Sequence, residues 1–356
     1  MTSSYLLSPT RTLTGPGARH DAVPAIEELG RRTLAVGGVR GLAAAAPILD
    51  RLDDRLDAAR IEPFHGECTE AAIDRVADAA SRYASILGIG GGKAIDTAKA
   101  AAAVCGLPCV TIPTSAATCA AYTPLSILHT ETGAYVESRR LPRPVAACVI
   151  DPELMLGAPP RLLAAGCIDA LARAWDSFLA ARVRVPSLAA ELSVSICRRY
   201  WNRTLRPEGA GAIRDLRDGQ ATQRLARTID ACILGAGLAG ESGARFFGRS
   251  FSHAVGYALA DLIDATDILH GEAVGLGILV QCALDRDTEV GMADMRAYFE
   301  TLGAPIRFAD LGLTGLAGPN GRRLAETTDR LIDHERAVPF PVTAQMLHEA
   351  MRAVES

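Results

Sequence analysis

Between about residues 32 and 150, short apolar runs alternate with helix-patterned stretches, and this alternation leaves few architectures open. "TLAVGG" at 33–38 precedes a helical pattern over 41–58. "ASILGIGGG" at 84–92 precedes another over 94–104, and "PCVTIPTS" follows at 108–115. Apolar strands separated by helices build a parallel sheet covered on both faces. "PLSILHTETGAYVESRR" at 124–140 breaks the rhythm, because two stretches of mixed polarity flank "TETG" as in an antiparallel hairpin. "AACVIDPELM" at 146–155 adds a strand that Asp151-Pro152 ends, and after "GAPP" at 157–160 the pattern turns almost wholly helical. The expected organisation is therefore an α/β domain with a parallel sheet over 1–158 and an all-α domain over 159–356. A length of 356 residues suits two such units.

Composition excludes several function classes. With 49% apolar residues, 22% charged residues and a formal net charge of -4, the chain has no field suited to nucleic acid. No apolar run approaches the roughly 20 residues of a membrane helix, and the opening "MTSSYLLSPTRTLTGPGARHD" has no signal-peptide pattern, so a cytoplasmic location is expected. The nine cysteines are odd in number and scattered among Ala, Val and Leu, as reduced packing thiols are.

Of 37 basic residues only Lys93 and Lys99 are lysines, and both follow the triple glycine Gly90, Gly91 and Gly92. A strand, a glycine turn and a helix start place unpaired backbone N–H groups where a pyrophosphate can bind. Lys93 falls in the first turn, where its charge opposes the helix dipole unless an anion is present. The spacing is neither GxGxxG nor a P-loop, so a plain strand-to-helix turn remains open from these residues alone.

Three residues stand out as metal-ligand candidates. His253 in "FSHAVGYALADL" and His270 in "ILHGEAVGLGILVQ" have mainly apolar neighbours, and Asp169 is the lone acid of "LLAAGCIDALARAW". Burying that carboxylate unpaired would cost several kcal/mol, which a cation would remove. One carboxylate and two imidazoles with an open position form a recurrent catalytic set. Spacing alone equally allows Asp169 to pair with Arg173 one turn later, and the histidines to be hydrogen-bonded core residues.

Taken in order, "FHGECTEAAIDRV", "GIGGGKAIDTAKAAA", "TIPTSAAT", "LSILHTETG", "RLLAAGCIDALA", "FSHAVGYAL", "HGEAVGLGILVQ" and "PFPVTAQMLHEAM" cover nearly the whole chain. Together they resemble the glycerol dehydrogenase branch of the iron-containing alcohol dehydrogenase superfamily, which has the dehydroquinate synthase-like fold, and this implies that the α/β domain is Rossmann-like and the C-terminal domain helical. The resemblance implies one divalent metal on Asp169, His253 and His270, zinc ahead of iron, and an NAD or NADP cofactor in the cleft between the domains. It implies a pyrophosphate turn at Gly90, Gly91, Gly92 and Lys93, with Asp96 as the acid that follows. Thr114, Thr118 and Leu125 would line adenine and nicotinamide, and His129 would stand near the nicotinamide where tyrosine is common. Lys99 is expected on the helix behind the turn, with no assigned role. The implied activity is reversible hydride transfer between an alcohol and a carbonyl compound, in a homo-oligomer that acts on a small molecule.

Departures from the pattern bear on substrate and cofactor. Cys119 stands where glycerol dehydrogenases have an aspartate that contacts the polyol, so glycerol is not the expected substrate. Tyr122 close by is expected to reshape the pocket. Gly256 replaces a second histidine, so a proton relay there is either lost or passed to Tyr257 or water. Gly38 replaces the aspartate of NAD-specific members, which with Arg40 leans the expectation toward NADP. The plainer reading makes Gly37 and Gly38 a turn and Arg40 a solvated side chain. A phosphorylated substrate, as in glycerol-1-phosphate dehydrogenases, and a non-catalytic nucleotide-binding descendant are the competing functions. Sugar-phosphate cyclases fit less well, since no lysine follows residue 99.

Overall fold

The computed structural model describes residues 8–53, 58–243, 246–262 and 267–356. The first half runs β1 (Arg11–Thr14), α1 (Arg19–Glu27), β2 (Arg32–Gly37), α2 (Val39–Ala44), α3 (Ala46–Asp53) and β3 (Ala58–Pro63). It continues through α4 (Glu70–Ala79), β4 (Ser85–Gly90), α5 (Gly92–Cys105), β5 (Cys109–Pro113), β6 (Leu125–His129), β7 (Tyr135–Arg140) and β8 (Ala147–Ile150). Six strands form one parallel sheet in the order β1-β8-β5-β4-β2-β3, while β6 and β7 pair as the separate antiparallel hairpin around "TETG".

Side chains alternate across the sheet, so Leu34, Val36 and Ile86 join one core while Ala35, Leu87, Ile89, Val110 and Ile112 join the other. From β2 the chain crosses to β3 on one side and returns to β4 on the other, so the ends of β2 and β4 form the switch point at which such sheets bind ligands.

Two expectations need correcting here. The helix expected over 41–58 is two helices, because Pro47 is tolerated only in the first turn of α3 and forces a break at Ala45. Its expected last residue already belongs to β3. Strands β1 and β3 went unanticipated since they occupy the two sheet edges, where "RTLT" and "AARIEP" need no continuous apolar run.

From Pro160 onward the chain is helical: α6 (Pro160–Val183), α7 (Leu188–Tyr200), α8 (Arg206–Arg217), α9 (Gln223–Asp230), α10 (Ala236–Gly243), α11 (Phe251–Ala260), α12 (His270–Leu284), α13 (Met292–Leu302), α14 (Pro319–Leu331) and α15 (Ala344–Glu355). No helix among the described residues is long and apolar enough to cross a membrane. All nine cysteines are free thiols, seven of them buried.

Lys99 has a role the sequence did not disclose. Its side chain is fully buried in the middle of α5, 2.8 Å from Asp96 Oδ1. Its ammonium donates to the carbonyl oxygens of Ala120 (2.6 Å), Thr123 (2.9 Å) and Leu125. One compact cation thus fastens the loop between β5 and β6 onto α5, and the ammonium suits the task because its three protons can spread over three carbonyls.

Candidate active site

Helices α6, α11 and α12 meet with their backbones in contact. A Cβ at Gly271 would lie 1.9 Å from the Ala165 carbonyl oxygen, and one at Gly277 would lie 2.5 Å from Ser252 Cα. Only glycine permits this approach, and it gathers Asp169 of α6, His253 of α11 and His270 at the start of α12. One donor atom from each lies within 4.8 Å of the others. His270 Nε2 is 3.5 Å from Asp169 Oδ1, and the two imidazole centroids are 5.7 Å apart. Asp169 and His253 are buried, whereas the His270 side chain keeps 37% of its surface exposed. Desolvation, opposed by Asp169, holds His270 below the ordinary imidazole pKa. The ring is therefore neutral near pH 7, with a lone pair to offer.

Groups behind the cluster hold these donors in place. His253 Nδ1 lies 2.6 Å from the buried Asp176 carboxylate, which also accepts from the hydroxyls of Ser250 (2.5 Å) and Ser252. Burial opposes ionisation of Asp176, yet His253 and the two serines bring its pKa below the usual carboxylate value. The anion fixes the Nδ1–H tautomer and leaves Nε2 of His253 free for a ligand. The start of α12 is held separately: Arg161 grips Glu272 through two bonds of 2.6 and 2.7 Å, and Glu272 caps the Leu269 N–H beside His270. Sequence reasoning missed both devices. Asp176 alone carried a signal, as a second acid in α6 seven residues beyond Asp169 and on nearly the same face.

The glycine turn lies at the switch point. Gly90 has φ +134°, a conformation side chains rarely adopt, and Gly91 is the N-cap of α5. A Cβ at Gly92 would stand 3.4 Å from Thr118 Oγ1, and one at Gly91 would stand 3.6 Å from Ser115 Oγ. Thr114 N–H donates to the Gly90 carbonyl at 3.0 Å. The turn and the 114–118 segment thus face each other as two walls. That segment also reaches α6, where a Cβ at Gly166 would meet the Ala116 carbonyl oxygen at 1.7 Å, one turn before Asp169. A single loop therefore links the glycine turn to the histidine and carboxylate cluster.

The remaining candidates fall into two groups. Cys119 lies close enough to feel the Asp169 charge, and burial first, then that charge, pushes its thiol up to about 12. Leu125 and His129 share one face of β6, and His129 Nδ1 is buried with no hydrogen-bond partner among the described residues. Burial also holds the His129 pKa below the ordinary value. Tyr257 packs beside the cluster, its centroid 6.1 Å from His270 and 4.7 Å from Tyr135, with a phenol that burial keeps protonated. Lys93 lies in the first turn of α5 and pairs with Glu67, which relieves part of its conflict with the helix dipole. Gly38 caps α2 with ordinary backbone angles, and Arg40 is exposed beside it.

Two expectations place residues wrongly, and a third residue gains a packing role. Asp96 turns inward, paired with Lys99 and accepting from Ile127 N–H at 3.0 Å, so it shapes the wall rather than facing the cleft. Tyr122 packs on Gly237 of α10, where a Cβ would come within 2.6 Å of its ring, and does not reshape the pocket. Gly256 faces α12, where a Cβ would lie 2.8 Å from Val274 Cγ1, so helix packing accounts for the glycine. Nor does Asp169 form the alternative ion pair with Arg173: among the described residues its only pairing of that kind is with His270.

Residues 9–152 match the model of the family described as iron-containing alcohol dehydrogenase. The similarity extends through the helical half: hydroxycarboxylate dehydrogenase A of Escherichia coli K12 is 31% identical over 327 residues, 91% of this chain and 90% of the relative. This chain belongs to the iron-containing alcohol dehydrogenase family. Glycerol dehydrogenase of Pseudomonas putida is 32% identical over 296 residues, covering 82% of this chain and 80% of that one. The crystal structure of a probable glycerol dehydrogenase from Sinorhizobium meliloti 1021 superposes with a TM-score of 0.85 at 28% identity, over 99% of this chain and 98% of that one. Within the family the chain sides with the glycerol dehydrogenase branch, and it is an oxidoreductase acting between alcohols and carbonyl compounds.

Proposed function

We propose that this family member transfers a hydride between a nicotinamide dinucleotide and a small alcohol or carbonyl compound, with one divalent metal held by Asp169, His253 and His270. The observation that carries the reading is the convergence of one carboxylate and two imidazoles in a cleft, one imidazole being set by Asp176. The donor set, nitrogen and oxygen with room for a fourth group, accommodates zinc or iron, and the likeness to the glycerol dehydrogenase branch favours zinc. Such an ion supplies Lewis-acid polarisation of the substrate oxygen.

The chain's own residues do the rest. Gly90, Gly91 and Gly92 bring backbone N–H groups to a pyrophosphate, with Lys93 at hand. Thr114, Thr118 and Leu125 line the path toward the cluster, and the unpartnered His129 Nδ1 is available to a polar group of the cofactor. Tyr257 keeps its proton at neutral pH, so its phenol can donate a hydrogen bond there but is not a general base. Gly38 and Arg40 favour NADP: a ribose 2'-phosphate meets no carboxylate at 38 and has a guanidinium two residues on.

The test is metal analysis of purified protein together with NADH and NADPH consumption on a panel of aldehydes and ketones. Asp169→Asn is expected to lose the metal and turnover together, and full metal occupancy in that variant would refute the ligand assignment. Bound metal without turnover of any carbonyl would favour a nucleotide-binding descendant.

A further inference from the structure

Arg173 follows Asp169 by one turn of α6, so the two side chains share a face. It is partly buried, yet among the described residues its guanidinium donates no hydrogen bond and forms no ion pair. Its charge acts on Asp169, Asp176, His270 and Tyr257 as well as on the core groups Tyr200 and Cys197, as expected of a side chain that leaves α6 one turn beyond Asp169. Its Nε lies against Gly240 of α10, where a Cβ would stand in ordinary contact at 3.7 Å.

The acids that could neutralise Arg173 are engaged elsewhere. Asp176 is held by His253, Ser250 and Ser252, and Asp169 belongs to the cluster. Cys119 stays a neutral thiol. No Arg173 nitrogen is among the buried polar atoms left without a partner, so its donors face solvent and are free to take an anionic ligand. Its planar fork matches a carboxylate.

We propose that Arg173 recognises the carboxylate of the substrate, and that the substrates are short 2-oxo acids and the corresponding 2-hydroxy acids. The inference rests on the reading of Asp169, His253 and His270 as the reacting centre. Residues one helical turn apart have Cβ atoms about 5–6 Å apart, and a 2-oxo acid, with carbonyl and carboxylate on adjacent carbons, is the smallest substrate that offers one group to the cluster and the other to Arg173. In the reaction, C2 gains a hydride and its oxygen gains a proton from solvent. One equivalent of reduced dinucleotide is oxidised, and the carboxylate is unchanged.

The experiment compares kcat/KM of the full-length, zinc-loaded protein on 2-oxobutyrate, on its neutral counterpart 1-hydroxybutan-2-one, and on dihydroxyacetone phosphate. The oxo acid is expected to be preferred about 100-fold over the neutral ketone, and Arg173→Met to remove that preference chiefly through KM. Arg173→Lys should keep part of it. Oxamate, an unreactive mimic, should bind wild type and lose about 100-fold in affinity to Arg173→Met by calorimetry. Equal or better turnover of the neutral ketone or the phosphate ester overturns the proposal, as does an equal loss on all substrates in Arg173→Met. Should Arg173→Met fail to fold, wild-type selectivity and Arg173→Lys decide. Absence of any carbonyl reduction with either dinucleotide overturns the hydride-transfer reading instead, and oxamate binding then still decides the role of Arg173.

Discussion

Replacing Lys99 with methionine probes the point on which the loop facing the cleft depends. The substitution keeps the apolar stem and deletes an ammonium whose side chain is fully buried. It strands the Asp96 carboxylate, left with one backbone donor from Ile127, and frees the carbonyls of Ala120, Thr123 and Leu125. Removing one partner of a buried ion pair costs about 3–5 kcal/mol. For a chain of this size that corresponds to a fall of roughly 4–7 °C in the melting midpoint. Asp96→Asn should cost less, about 1–2 kcal/mol, because the ammonium keeps its three carbonyl acceptors. Combining Lys99→Met with Asp96→Asn should recover part of the loss, since no charge is then left unpaired. Lys99→Arg should also destabilise, by about 1–3 kcal/mol, because the larger guanidinium must enter a helix packed on alanines. Urea and thermal unfolding of the four variants, followed by circular dichroism, measure these differences. A Lys99→Met midpoint within a degree of wild type, or a double variant no better than Lys99→Met alone, would refute the argument.

Two further outcomes follow from the same geometry. Asp176→Asn should lower metal affinity about 10- to 100-fold by releasing the His253 tautomer, read by competition with a chelator, while leaving the fold intact by circular dichroism. Gly38→Asp should weaken NADPH binding more than NADH in fluorescence titrations. The residue has room for a side chain, the nearest atom to a Cβ being the Phe64 carbonyl oxygen at 3.6 Å, so equal effects on the two dinucleotides would place the ribose elsewhere.

The strand-turn-helix around Gly90 to Gly92, the "TETG" hairpin and the change to helices after Pro160 were all legible along the chain. Each arises from a local period or from turn chemistry spanning a few residues. Edge strands β1 and β3 were not, since an edge needs no apolar run. Asp169, His253 and His270 stood out because polar residues in apolar helices are costly unless they have a purpose.

Their partners were invisible for the converse reason. Asp176 meets His253 across 77 residues, and Arg161 meets Glu272 across 111. Lys99 looked like one more polar residue on an alanine-rich helix, and Arg173 like a possible partner for Asp169. Local pattern decided which residues form helix, strand and turn, because backbone propensity and periodicity act over one or two turns. Which charges are paired, which side chains turn away from the cleft and which guanidinium is left without an anion was decided by packing alone, because those contacts exist only once distant helices touch.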